Sequence, residues 1–104
     1  MATCSLRITR RYDAPPDEVW ASLRSLERWL APPAGVTVAN EQAGRLLELD
    51  WRPDGEPPSI VRLELREDGP RTMVVLEHLQ IEAVRGMRYM QAWTRAVDRF
   101  EAER

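Results

Sequence analysis

Between Val36 and Leu79 apolar side chains recur at every second position in four successive runs, and from Ala83 to Glu103 the spacing lengthens to three and four. Facing side chains repeat every two residues in a strand and about every 3.6 in a helix. The chain therefore calls for a four-stranded meander followed by one long helix. The runs cover 36–40, 45–52, 59–66 and 71–79. Their separators, 41–44, 53–58 and 67–70, are rich in Gly and Pro and short enough for hairpins.

A slip of one residue would turn a whole strand face from core to water, so the pattern tests the pairing. Placing Asn40 opposite Arg45 sets Val38 against Leu47 and Val36 against Leu49. Placing Trp51 opposite Val61 sets Leu49 against Leu63 and Leu47 against Leu65. Placing Arg66 opposite Arg71 sets Leu65 against Thr72, Leu63 against Val74 and Val61 against Leu76. All three pairings gather the same residues on one apolar face. The other face carries Thr37, Glu48, Asp50, Arg52, Arg62, Glu64 and Glu77, with Asp50 opposite Arg62, and is interrupted by Leu46, Ile60, Met73 and Val75. One side is dry and needs a cover. The helix supplies it, with Gly86, Met90, Trp93, Val97 and Phe100 as a stripe that Tyr89 and Ala96 widen.

Upstream, Leu6, Ile8 and Tyr12 predict a first strand over about 5–12. Asp13 to Glu18 reads as a helix start, with Pro in the first turn and acids at its positive end. Val19, Trp20 and Leu23 are that helix's buried stripe, and Ser25 is placed to cap a second short helix bearing Leu26, Trp29 and Leu30, stopped by Pro32-Pro33. The expected order is β-α-α-β-β-β-β-α, an α+β fold. At 104 residues, 1–104 is read as a single domain.

The segment Ile8-Thr9-Arg10-Arg11-Tyr12-Asp13-Ala14-Pro15, followed by Val19-Trp20, resembles the opening of the SRPBCC (START-like, helix-grip) superfamily. Trp51, Gly69 to Thr72, Val74 to His78 and Trp93 resemble later landmarks of its branch named after the activator of Hsp-90 ATPase. The resemblance implies a five-stranded antiparallel sheet, ordered 1-5-4-3-2, packed on the long C-terminal helix. Family members usually carry two more strands between the short helices and the meander. Here 32–35 leads almost directly into the next strand, which implies a shallower grip and an exposed edge between Val36 and Asn40. The position before Trp93, often Gly in relatives, is Ala92.

The resemblance also implies a small hydrophobic ligand between sheet and helix. Trp51, Leu63, Val74, Leu76, His78, Met90, Trp93 and Val97 would line it, and the competing expectation is that these side chains simply fill the gap. Some SRPBCC relatives are cyclase- or hydrolase-like enzymes. The residues argue for a noncatalytic binding module instead, because His78 is the lone histidine and no pairing of Glu27, Glu41 or Glu82 suits acid–base work. One His and one distant Cys give no metal site, and no cofactor motif is present. A filled, ligand-free homodimer joined at the 36–40 edge is the other expectation.

A net charge of −2 gives no electrostatic case for nucleic acid or an anionic membrane, although all 15 basic residues are Arg. The Arg are scattered among 17 acids, which reads as compositional bias. A single Cys, no leader-like run in residues 1–12 and no long apolar stretch make the cytoplasm the expected location.

Overall fold

The computed structural model describes residues 2–103. The chain forms β1 (Thr3–Tyr12), α1 (Pro16–Arg24), α2 (Leu26–Trp29), β2 (Val36–Gln42), β3 (Leu46–Trp51), β4 (Ser59–Asp68), β5 (Arg71–Glu82), a 3₁₀ turn at Ala83–Arg85 and α3 (Gly86–Glu103). The five strands make one antiparallel sheet ordered β1-β5-β4-β3-β2. Element order and covering helix are those the sequence pattern predicts, and the sheet order is the one the resemblance implies.

The registers differ. Val38 lies opposite Leu49, Leu49 opposite Val61, and Leu63 opposite Leu76, each two residues from the expected pairing, and between Asn40 and the turn the β2–β3 displacement grows to three, with Asn40 opposite Glu48. A two-residue slip preserves the faces, which is why the hydrophobic pattern cannot detect it. Turn chemistry decides instead. Gln42 pairs with Leu46 and Asp68 with Arg71, around Gly44 and Gly69 at φ of +77° and +62°. Glycine in the left-handed region closes tight turns, and β2 and β4 each run two residues beyond their expected ends, to Gln42 and Asp68. The charged face re-pairs accordingly: Arg62 opposes Glu48 and Glu77, with a 2.9 Å ion pair to Glu48, while Asp50 opposes Ile60.

Two bulges break the alternation. On β5, Leu79 and Gln80 lie between the pairs Leu6–His78 and Cys4–Ile81, where β1 has only Ser5. Gln80 takes a φ of +61°, and Ile81 turns inward to 1% exposure. This bulge is why periodicity ends the strand at Leu79 while the ladder runs to Glu82. On β2, Ala39 is the extra residue between pairs Val38–Leu49 and Asn40–Glu48. It distorts an edge strand that lacks Lys or a central Pro, another way of blunting an open edge.

The concave face holds the core. Leu47, Leu49, Val61, Leu63, Leu76 and Trp93 are each 2% exposed or less, and Val19 and Leu23 of α1 join them. Met90 is not among them. It is 41% exposed, because the buried stripe of α3 centres on Trp93, Ala96, Val97 and Phe100, with Tyr89 as the inward residue of the preceding turn. Ser25 occupies the cap position of α2 without a capping bond; its hydroxyl donates back to the Ala21 carbonyl. On the outer face, Val75 is buried between Thr9 and Glu64. Glu64 draws Arg66, Arg62 and Arg7 around it, and their long stems can cover that valine.

Candidate functional site

The gap between sheet and α3 has two unlike ends. At one, Tyr12, Trp29 and Phe100 meet edge to face, with centroids 5.2 and 5.3 Å apart. The Trp29 indole donates to the Leu23 carbonyl at 2.9 Å, which ties α2 to α1, and Thr72 Oγ1 donates to the Ala14 carbonyl at 2.8 Å, which ties the lead-in of α1 to the sheet. Ile8, Leu23, Leu63, Val74, Leu76 and Val97 complete this end, and the room left there for a water-sized sphere is about 10 Å³. One ordered water needs about 10–15 Å³ on that measure. This end has no room for a ligand.

At the other end stand Trp51, His78, Tyr89 and Trp93, with ring centroids 4.6–6.3 Å apart. Trp93 Nε1 donates to His78 Nδ1 at 2.9 Å, and an indole nitrogen can only donate. Nδ1 is therefore the acceptor, the ring proton sits on Nε2, and Nε2 donates to Ser59 Oγ at 2.7 Å. His78 has no exposed surface, and burial pushes its pKa down to about 4. Neutral, saturated and enclosed, it is a structural group. Trp51 Nε1 donates to the Tyr89 hydroxyl at 3.1 Å, and that hydroxyl in turn bonds Glu56. Burial and the Glu56 carboxylate hold the Tyr89 hydroxyl above its ordinary pKa. Glu56 also receives Arg85 at 3.3 Å and Arg88 at 3.4 Å, which fastens the β3–β4 loop to the start of α3.

Outside this aromatic cluster the gap opens to the surface. A recess of about 170 Å³ is lined by Leu30, Pro33, Trp51, Ala92, Trp93, Ala96 and Arg99. A wider one of about 490 Å³ is lined by Pro33, Trp51, Asp54, Gly55, Glu56, Arg85, Arg88, Tyr89 and Ala92. The two share Pro33, Trp51 and Ala92 and make one groove. Its far wall is fixed by Gly35, at φ +93°, whose carbonyl accepts the Arg52 amide at 3.0 Å. A Cβ there would come within 2.1 Å of the Arg52 carbonyl oxygen, so only glycine lets the 32–35 segment lie this close to β3. A recess of about 620 Å³ on the outer sheet face is larger, but Glu64 and Arg66 in its wall pair with one another at 2.8 Å. It belongs to the charged water face.

Of the residues expected to line a ligand, Trp51 and Trp93 border the groove, while Leu63, Val74, Leu76 and Val97 border the closed interior. His78 lies behind the aromatic cluster and Met90 faces solvent. Leu30, Pro33, Ala92 and Arg99 were not foreseen; Pro33 is brought there by the Gly35 turn, a long-range contact that periodicity does not encode. Among the described residues no group of three or more His, Cys, Asp or Glu is placed to hold a metal, and no helix is long and apolar enough to cross a membrane.

No family model and no curated protein matches the chain. Solved structures do. CalU16 from Micromonospora echinospora is 29% identical and superposes with a TM-score of 0.83, over 92% of this chain and 71% of its own. The AHSA1 protein from Silicibacter pomeroyi, 15% identical, superposes with a TM-score of 0.78 over 96% of each chain. The fold is the SRPBCC helix-grip. DynU16, from the dynemicin biosynthetic locus, shares it at 18% identity and a TM-score of 0.77, and this chain spans only 45% of its length. The chain spans 64% of CalU16 as determined in solution. In this helix-grip the grip itself is closed, and access lies along its mouth.

Proposed function

We propose that the protein is a noncatalytic binding module that takes a small hydrophobic molecule at the mouth of the helix-grip, on Trp51, Trp93 and Ala92. The carrying observation is the groove. Its narrow part has a volume of about 170 Å³, comparable with the ~150 Å³ apolar cavity that accepts benzene, and its walls are mostly apolar with a few polar groups at the rim, the usual make-up of a small-molecule site. The noncatalytic part of the reading rests on His78, whose two ring nitrogens are both engaged away from the groove. Glu56 is likewise committed to Arg85, Arg88 and Tyr89.

A second reading has its own support. The outward edge of β2 is exposed along nearly its whole length, with Val38 at 51%, and a strand edge can pair with a second copy of itself. Native mass spectrometry of freshly purified protein tests both. The module reading expects a retained or added small aromatic mass on a single chain, lost in Ala92→Leu, which fills the groove. A chain that stays bare against a panel of apolar aromatic compounds overturns it. Two-chain masses that vanish in Val38→Arg would favour the edge-paired dimer instead.

A further inference from the structure

We infer that the groove's ligand is an acid: a flat apolar body lying on Trp51 and Ala92, with a carboxylate directed at Arg99. This rests on the binding reading above and goes further by assigning charge and orientation. The two ends of the groove differ electrostatically. Over the β3–β4 loop, Arg85 and Arg88 are already matched by Glu56 and Glu82, at 3.0–3.4 Å, and Asp54 stands beside them. That end has no cation to spare. In the narrow part Arg99 is the single charged side chain. Its Nε donates to the Trp29 carbonyl at 3.1 Å, which pins the guanidinium against α2. Among the described residues no carboxylate pairs with it and no acceptor takes its terminal N–H donors.

Guanidinium presents its donors in a planar fork that matches a carboxylate in a two-bond arrangement. The Nε bond to Trp29 removes some of the freedom that an exposed arginine would lose on binding, which favours this cation as a receptor. Beside it the recess is apolar: Leu30, Pro33 and Ala92 form its rim, and the edges of the buried Trp51, Trp93 and Ala96 form its floor. A neutral apolar molecule would leave the fork facing water. An acid would use both halves of the site, and an amine would meet repulsion there.

Equilibrium dialysis with 2-naphthoate and its neutral isostere 2-naphthamide tests the inference on the full chain. The acid is expected to bind about fivefold more tightly at low salt, the scale of a partly exposed ion pair, with the preference shrinking as salt rises. Arg99→Gln should remove the acid's preference over the amide together with its salt dependence, and Arg99→Lys should restore part of both. Equal affinities in the wild type, or an acid preference that survives Arg99→Gln, overturn the charge assignment while leaving the groove reading standing. If Arg99→Gln weakens both compounds alike, Arg99 only shapes the wall, and the inference falls in the same way. If neither compound binds at millimolar concentration, the groove reading falls and takes the inference with it.

Discussion

The two ends of the sheet–helix gap are both aromatic, and they are built on different principles. Around Tyr12, Trp29 and Phe100 the rings pack by edge and face with about 10 Å³ left over. Around Trp51, His78, Tyr89 and Trp93 the rings are linked by hydrogen bonds that run from Ser59 through His78 to Trp93, and from Trp51 through Tyr89 to Glu56. The first end is dense, and its indole is bonded to the main chain at Leu23. The second combines packing with polarity, and polar groups inside a core must be fully matched or they destabilise it. At the first end the Trp29 and Thr72 side chains bond main-chain carbonyls, whereas at the end that borders the opening the bonds run from ring to ring and out to Ser59 and Glu56.

Trp93 belongs to both ends, approaching Trp29 at 6.5 Å and Trp51 at 5.3 Å. Trp93→Ala should give the largest effect, a loss of about 3–5 kcal/mol from the cavity it leaves, with His78 Nδ1 deprived of its donor besides. Denaturant unfolding of both proteins measures it. A loss under about 1 kcal/mol would show that the two ends are not joined through this residue.

Acid should discriminate between the ends next. Burial holds the folded His78 pKa near 4, below its ordinary 6.5, so between these values the unfolded chain binds more protons. Stability is then complete above about pH 6.5 and falls as the pH drops toward 4, by roughly 3 kcal/mol at 1.36 kcal/mol per pH unit. His78→Gln should flatten this part of the profile relative to wild type, as read by urea unfolding at pH 7, 5.5 and 4. Parallel profiles would mean that the polar end does not exclude the proton.

The smallest effect is expected at Met90. Exposed at 41%, it should tolerate Met90→Gln within about 0.5 kcal/mol, by the same unfolding measurement. A loss comparable with that of Trp93 would return Met90 to the covering stripe.

That stripe shows how far the sequence can be read. Trp93, Val97 and Phe100 announce their burial by spacing, yet Met90 fits the same spacing and faces water, because Tyr89 is held inward by Trp51. Met90 sits at the margin of the stripe, further round the helix than Tyr89 from the line through Trp93, Ala96 and Phe100. Likewise, the alternation of β3, β4 and β5 reveals which side chains face inward, while the displaced registers of the β2–β3 and β4–β5 hairpins hang on the turns at Gly44 and Gly69. At the site, Trp51 and Trp93 were legible as gap-facing aromatics. Whether the gap was full was not, since volume is settled by contacts among α1, α2 and the sheet that have no local signature. Pro33 and Arg99 lie 66 positions apart in the chain and meet only because the 32–35 segment closes on β3.

Gly35 is where that closure is set, and it bears on how such a site can change. One wall of the opening is main chain resting on main chain, so its width does not depend on side-chain identity nearby. Variation at Leu30, Ala92 and Arg99 can alter what is bound, in shape and in charge, without altering how wide the opening stands. A substitution at Gly35 would do the reverse, moving the wall and leaving the chemistry of the lining intact. For anyone redirecting this protein to a new molecule, the two kinds of position form separate dials, and a library that holds 35 constant while diversifying 30, 92 and 99 explores recognition without risking the frame.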